Sequence, residues 1–131
     1  MRLWHQALIP LLPRQQLLGQ HRECAALRGN GWGKKHSTVN YVFEHHWYKL
    51  YIYHVLVMIE MGMRGYNVQE EWLDYRYRGA KCEPREELSQ EEKEQFFTDL
   101  HIYKEHDKDY LIECLDNLKE KGINLYEKFK I

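Results

Sequence analysis

Pro13-Arg14-Gln15-Gln16-Leu17-Leu18-Gly19-Gln20-His21-Arg22-Glu23-Cys24-Ala25-Ala26-Leu27-Arg28 is the stretch from which the fold is read. Pro13 suits the first helical position, where its missing N–H has no intrahelical partner to lose. From there Leu17, Leu18, His21, Cys24, Ala25 and Arg28 recur at spacings of three and four, and the apolar members form one stripe. Arg22 and Glu23 lie near the edge of that stripe. The next segment, Gly29-Asn30-Gly31-Trp32-Gly33, brings three glycines in five residues and ends the helix.

Outward from this helix the pattern stays helical. Residues 37–46 are ambiguous, because a short apolar run does not separate strand from helix. Trp47 to Arg64 has Leu50, Tyr51, His54, Val55, Met58, Ile59 and Met61 at helical spacing, which predicts a helix buried around much of its girth, with Gly65 as its left-handed cap. Residues 66–88 show little periodicity and predict a long ordered loop. Ser89-Gln90-Glu91-Glu92 is a capping-box sequence, which predicts a helix from there to about His106. Asp107 can cap a further helix with Tyr110, Leu111, Cys114, Leu115 and Leu118 on one face, ending at Gly122. The exits Arg64-Gly65-Tyr66-Asn67-Val68 and Lys121-Gly122-Ile123-Asn124-Leu125 look alike, which we read as recurrent helix-end chemistry. No hairpin signal lies between alternating strands and no βαβ rhythm occurs. The expectation is a mainly α chain: a single compact helical domain of about three core helices (residues 1–88) with an added C-terminal helix pair (residues 89–131).

A chain of 131 residues fits one domain, and 30% charged with 44% hydrophobic residues marks it as soluble and globular rather than disordered. No apolar run approaches a membrane span. Leu8-Ile9-Pro10-Leu11-Leu12 is too short and too proline-broken for a signal peptide. Three widely spaced cysteines, Cys24, Cys82 and Cys114, point to free thiols in a reducing compartment, and so to a cytoplasmic protein. The formal net charge of −1 hides an asymmetry. Residues 1–65 hold eight Lys/Arg against three acids, and residues 66–131 hold eleven against seventeen. A basic half can neutralise phosphates even in a near-neutral protein, although such segregation also occurs where no polyanion is bound.

Several groups could carry chemistry. The glycine-rich segment continues into Lys34-Lys35-His36, which could cradle phosphate, while Trp32 could stack on a base or simply pack into the core. Its spacing is not that of a nucleotide-triphosphate loop. Tyr75-Arg76-Tyr77-Arg78 interleaves aromatics with cations, which suits phosphate plus stacking and equally suits a solvated loop. His45 and His46 would diverge on a helix, and no metal-ligand spacing is present, so no metal is expected. His54, inside the apolar helix, reads as a hydrogen-bonded core histidine. Met1, Arg2, Arg22 and Glu23 could place an amine, two guanidiniums and a carboxylate in one site. From residue chemistry alone, however, Glu23 beside Arg22 is an ordinary solvated helix pair.

At this point the chain resembles the pyrimidine-dimer DNA glycosylase/AP-lyase family known from a bacteriophage and an algal virus. Gln15-Gln16-Leu17-Leu18-Gly19-Gln20-His21-Arg22-Glu23 stands against that family's Gln-His-Leu-Met-Ala-Glu-(aromatic)-Arg-Glu. His36, Thr38, Tyr41 and the helix ending Arg64-Gly65-Tyr66-Asn67-Val68 form a second match, and Tyr77-Arg78-Gly79 a third. Together they cover about residues 1–80, whereas the last 40 match poorly. The chain looks closer still to a bacterial, mostly uncharacterised branch.

The resemblance implies a mechanism without cofactor: the N-terminal α-amine attacks the anomeric carbon at a damaged base of double-stranded DNA, a Schiff base forms and β-elimination cuts the strand. Met1 would be the nucleophile and Glu23 the carboxylate that moves protons. Arg2, Gln15, Gln16, Arg22, Arg28, Lys34, Lys35 and His36 would hold the DNA, with a nucleotide flipped from the stack. Pyrimidine dimers and abasic sites are the expected substrates. Two departures stand out. Arg2 is bulky, so Met1 is expected to be retained. The family's further arginine three residues after the glutamate is Ala26 here, with Arg28 or Lys34 as the substitute. The alternatives are a non-catalytic nucleic-acid-binding protein on the same scaffold, or a small helical interaction protein. The sequence leaves the oligomeric state open.

Overall fold

The computed structural model describes residues 2–29, 39–97 and 101–129. Four α-helices occur among them: α1 (Arg14–Arg28), α2 (Trp47–Met63), α3 (Gln90–Glu94) and α4 (Lys108–Glu120). Short 3-10 turns at Gln6–Leu11, Asn40–Glu44, Glu70–Leu73, Gln95–Phe97 and Tyr126–Lys128 connect them, and no strand forms among the described residues. The chain is mainly α. Pro13, expected at the first helical position, stands instead at the N-cap, and the helix begins one residue later at Arg14.

α1 and α2 pack against each other more heavily than any other pair of elements. Leu17, Cys24 and Leu27 from α1 and Leu50, Tyr53, Val57 and Met61 from α2 enter one apolar cluster. Leu3, Trp4, Leu8, Ile9 and Leu12 join it from the N-terminal segment, and Tyr103, Cys114, Leu115 and Leu118 from the C-terminal third. Packing therefore runs across residue 88 without a break, and α4 closes the same core rather than standing beside it.

Helix ends follow local rules closely. Tyr66 N–H reaches Met61 O (2.9 Å) and Gly65 N–H reaches Gly62 O (3.0 Å), with Gly65 at φ 83°. Ile123 N–H repeats this on Leu118 O (2.9 Å) and Gly122 N–H on Lys119 O (3.0 Å), with Gly122 at φ 86°. Both exits are the double-bonded glycine cap that satisfies the last free carbonyls of a helix. The Ser89–Glu92 capping box forms both its bonds, and Asp107 accepts from Tyr110 N–H.

One expectation fails. The helix starting at Gln90 does not run to His106. It ends at Glu94, passes through the Gln95–Phe97 turn, and residues 101–106 are not helical. Tertiary contacts win over local pattern there. Tyr103 and His106 are drawn fully into the core, and Ile102 N–H donates to Gln6 Oε1 (2.9 Å). In a continuous helix the Ile102 N–H would be bonded to the carbonyl four residues back and would not be free for Gln6.

His106 also carries a pH consequence. Its Nδ1 accepts from Gln6 N–H (3.2 Å), so the ring proton sits on Nε2, which faces the Tyr41 hydroxyl at 2.7 Å. Burial pushes its pKa down to about 3, and burial likewise holds His54 well below the ordinary range. An unfolded histidine takes up a proton near pH 6.5, whereas these stay neutral in the fold. Unfolding therefore binds protons as pH drops, and stability is full above about pH 6.5 and declines toward pH 3, by up to about 1.4 kcal/mol per pH unit per histidine. Urea melts between pH 7.5 and 5 should show this decline, and His106→Gln should reduce the slope by about one proton. Flat stability over that interval would contradict the neutral assignment.

Candidate active site

α1 presents Gln20 and Glu23 one turn apart, and both face the segment Arg2–Trp4. Gln20 is buried. Its Nε2 donates to Arg2 O (2.9 Å) and to Glu23 Oε2 (3.0 Å), and its Oε1 accepts from Trp4 N–H (2.7 Å). The Tyr53 hydroxyl on α2 lies 2.9 Å from the same Oε1 and 2.5 Å from Trp4 O, and its one proton can serve only one of them at a time. Two acceptors on one side and a backbone N–H on the other fix which way the Gln20 amide points.

Glu23 is half-buried, and burial raises its carboxyl above the usual range. A hydrogen bond from the Arg2 main chain, the charge of Arg22 and the Gln20 amide oppose that rise. A raised carboxyl holds its proton to higher pH than an exposed glutamate does.

α4 holds the other side of the N-terminal segment. The Tyr110 hydroxyl donates to Leu3 O (2.5 Å). The Arg2 guanidinium rests over the rings of Trp4 (5.9 Å) and Tyr110 (5.7 Å) and lies 3.5 Å from a Glu113 carboxylate oxygen. Residues 2–4 are therefore fastened by their main chain to α1, α2 and α4 together.

The other expected site residues, the nucleophile Met1 and the DNA contacts, fall in three groups. Arg22 and Gln15 are exposed and Gln16 is half-buried on α1, with Arg22 folded back toward Gly19. Met1, Lys34, Lys35 and His36, together with Trp32, lie outside the described residues.

Arg28 is corrected. It is buried, not a surface cation. Its Nη1 donates to Trp72 O (2.8 Å) and faces His54 Nδ1 (3.0 Å), while Nη2 donates to Asp74 O (2.8 Å) and Tyr77 O (2.9 Å). Burial pushes its pKa down to about 10, which leaves it charged at neutral pH. Since arginine only donates, His54 Nδ1 must accept, and His54 Nε2–H then donates to His21 Nδ1 (2.7 Å). Arg78 returns the arrangement from the loop, its Nε donating to Arg28 O (3.0 Å) and its Nη2 to Gly29 O (3.1 Å) at the end of α1. Tyr77 and Arg78, within the aromatic–cation run, thus hold the end of α1 to the loop.

A cavity of about 280 Å³ opens where α1 ends. Its walls include Leu27, Phe43, Trp47, Tyr51, Tyr75 and Arg85. The rings of Trp47 and Tyr75 lie parallel within 9°, and the Arg85 guanidinium sits 5.4 Å from the Trp47 ring centre. Sequence reasoning missed Gln20, Tyr53 and Tyr110 as parts of the site. The available signal was Gln20 at one helical turn from Glu23, but its partners lie in distant segments. No three His, Cys, Asp or Glu residues are grouped for a metal, and no helix is long and apolar enough to cross a membrane, among the described residues.

The structure is thus a mainly helical domain in which a half-buried carboxyl is set against the N-terminal segment. Residues 1–74 match the family model described as pyrimidine dimer DNA glycosylase, more than half of the chain, and the protein belongs to that family. Its class is accordingly that of DNA-repair glycosylases, acting on damaged DNA. No curated protein and no solved structure matches.

Proposed function

We propose that the protein is a glycosylase with AP-lyase activity on damaged duplex DNA, in which the α-amine of Met1 is the Schiff-base nucleophile and Glu23 its acid–base partner. The observation that carries this reading is the fastening of the Arg2 main chain to Gln20 and Glu23. That anchor sets the backbone of residue 2 beside the carboxyl, the arrangement that a terminal amine working with Glu23 requires. An α-amine, with an ordinary pKa of about 7.7–8.0, supplies a useful neutral fraction at neutral pH.

The amine adds to C1′ as the glycosidic bond breaks, and one of its protons passes to the departing base; the C1′–O4′ bond then opens, O4′ takes up a proton, and the protonated Schiff base is left. Glu23 then removes a proton from C2′, and the 3′ phosphate leaves. Arg2, Arg22, Gln15 and Gln16 would bind the flanking backbone together with Lys34, Lys35 and His36. The ring-lined cavity begins four residues beyond Glu23, at Leu27, about 6 Å along α1, and its size suits one planar base turned out of the stack. Pyrimidine dimers are the first candidate lesion and abasic sites the second.

Untagged protein mixed with abasic or UV-irradiated duplex and reduced with borohydride should give a covalent adduct, and a protein extended at its N-terminus should give none. Absence of an adduct from the untagged protein would remove the Schiff-base mechanism.

A further inference from the structure

We infer that Gln20 is a positioning residue for this reaction: one buried amide bridges the N-terminal main chain and the Glu23 carboxyl and sets both in register. The inference rests on the Schiff-base reading above and adds to it the group that holds the Arg2 main chain and the carboxyl together. Both Nε2 hydrogens are used, one on Arg2 O and one on Glu23 Oε2, while Oε1 faces Trp4 N–H. No other side chain among the described residues is hydrogen-bonded both to the N-terminal main chain and to Glu23. Tyr53, on α2, reaches the same Oε1 and so ties the bridge to the core.

The chemistry of the amide is specific. An amide can donate toward a carboxylate and a carbonyl while accepting from an N–H, and a carboxyl of the same shape cannot do so when ionised. Gln20→Glu keeps the bond from Trp4 N–H but turns an acceptor toward Arg2 O and Glu23. Two carboxylates at that distance share a proton, so the pair holds it to higher pH. The variant also loosens Arg2, and small displacements of reacting groups cost rate steeply.

The experiment compares wild-type protein with Gln20→Glu in borohydride trapping on abasic duplex across pH 5 to 9, alongside NMR titration of the Glu23 carboxyl carbon. The expected result is trapping slowed about 10- to 100-fold at neutral pH, a pH profile displaced to higher pH, an elevated Glu23 midpoint and little change in DNA affinity. A change in packing alone would slow trapping without displacing the profile. In the unaltered protein the two Gln20 side-chain amide protons should shift in step with the Glu23 titration, which tests the bridge even if the variant folds poorly. Amide protons indifferent to Glu23, or an active wild type whose variant keeps the same profile, overturn the inference. A wild type that traps nothing sinks the Schiff-base reading, while the two titrations still decide whether the bridge exists.

Discussion

Glu23→Gln should slow strand cleavage at an abasic site by at least about 100-fold, equivalent to about 2.7 kcal/mol of transition-state stabilisation, while leaving the protein folded and bound to DNA. The substitution is close to isosteric. The Gln20 amide can still donate to the new amide oxygen at the position of Glu23 Oε2, and the Arg2 main chain keeps its bond to Gln20. What is lost is the ability to take a proton from C2′. Burial raises the Glu23 carboxyl, so this group favours folding less as pH rises, the opposite sense to the neutral histidines. Removing the titratable proton should therefore leave stability at neutral pH unchanged or slightly improved. Single-turnover cleavage, with affinity measured by anisotropy at fixed salt, separates the two effects. A loss confined to affinity would remove Glu23 from the chemistry.

Arg28→Met is expected to destabilise the protein by roughly 3–5 kcal/mol, a large share of the stability of a domain this size. Three backbone oxygens, those of Trp72, Asp74 and Tyr77, would lose their donor at once, and His54 Nδ1 a fourth bond. Each buried group left without a partner costs about 1–3 kcal/mol. Arg28→Lys should recover less than half of the loss, because a single ammonium cannot span acceptors that the planar fork reaches together. Urea denaturation measures both. A normally folded Arg28→Met protein with weakened DNA binding would return the residue to the DNA surface, where the sequence had placed it.

Features with local causes were legible in the sequence. The capping box at Ser89, the Asp107 cap and the twin glycine exits depend on neighbours within a few residues, and each forms as its residue types dictate. The Gln90 helix was over-extended because its end is decided by Tyr103, His106 and the Gln6–Ile102 bond, all tertiary. Arg28 was misplaced for a related reason: arginine at a helix edge usually faces solvent, and only the return of residues 72–77 supplies the carbonyls that bury it. Glu23 could be singled out through its motif. Gln20 could not, since its partners at Arg2 and Trp4 are brought to it by the turn at Gln6–Leu11.

The hold of Tyr110 on Leu3 has a bearing on biogenesis. While the nascent chain is still on the ribosome, residues 2–4 have no α4 to seat against. At about 5–20 residues per second, the roughly 105 residues that follow take on the order of 5–20 s to synthesise. Residues 2–4 therefore dock late, after most of the chain has been made, and their seat is complete only once α4 arrives.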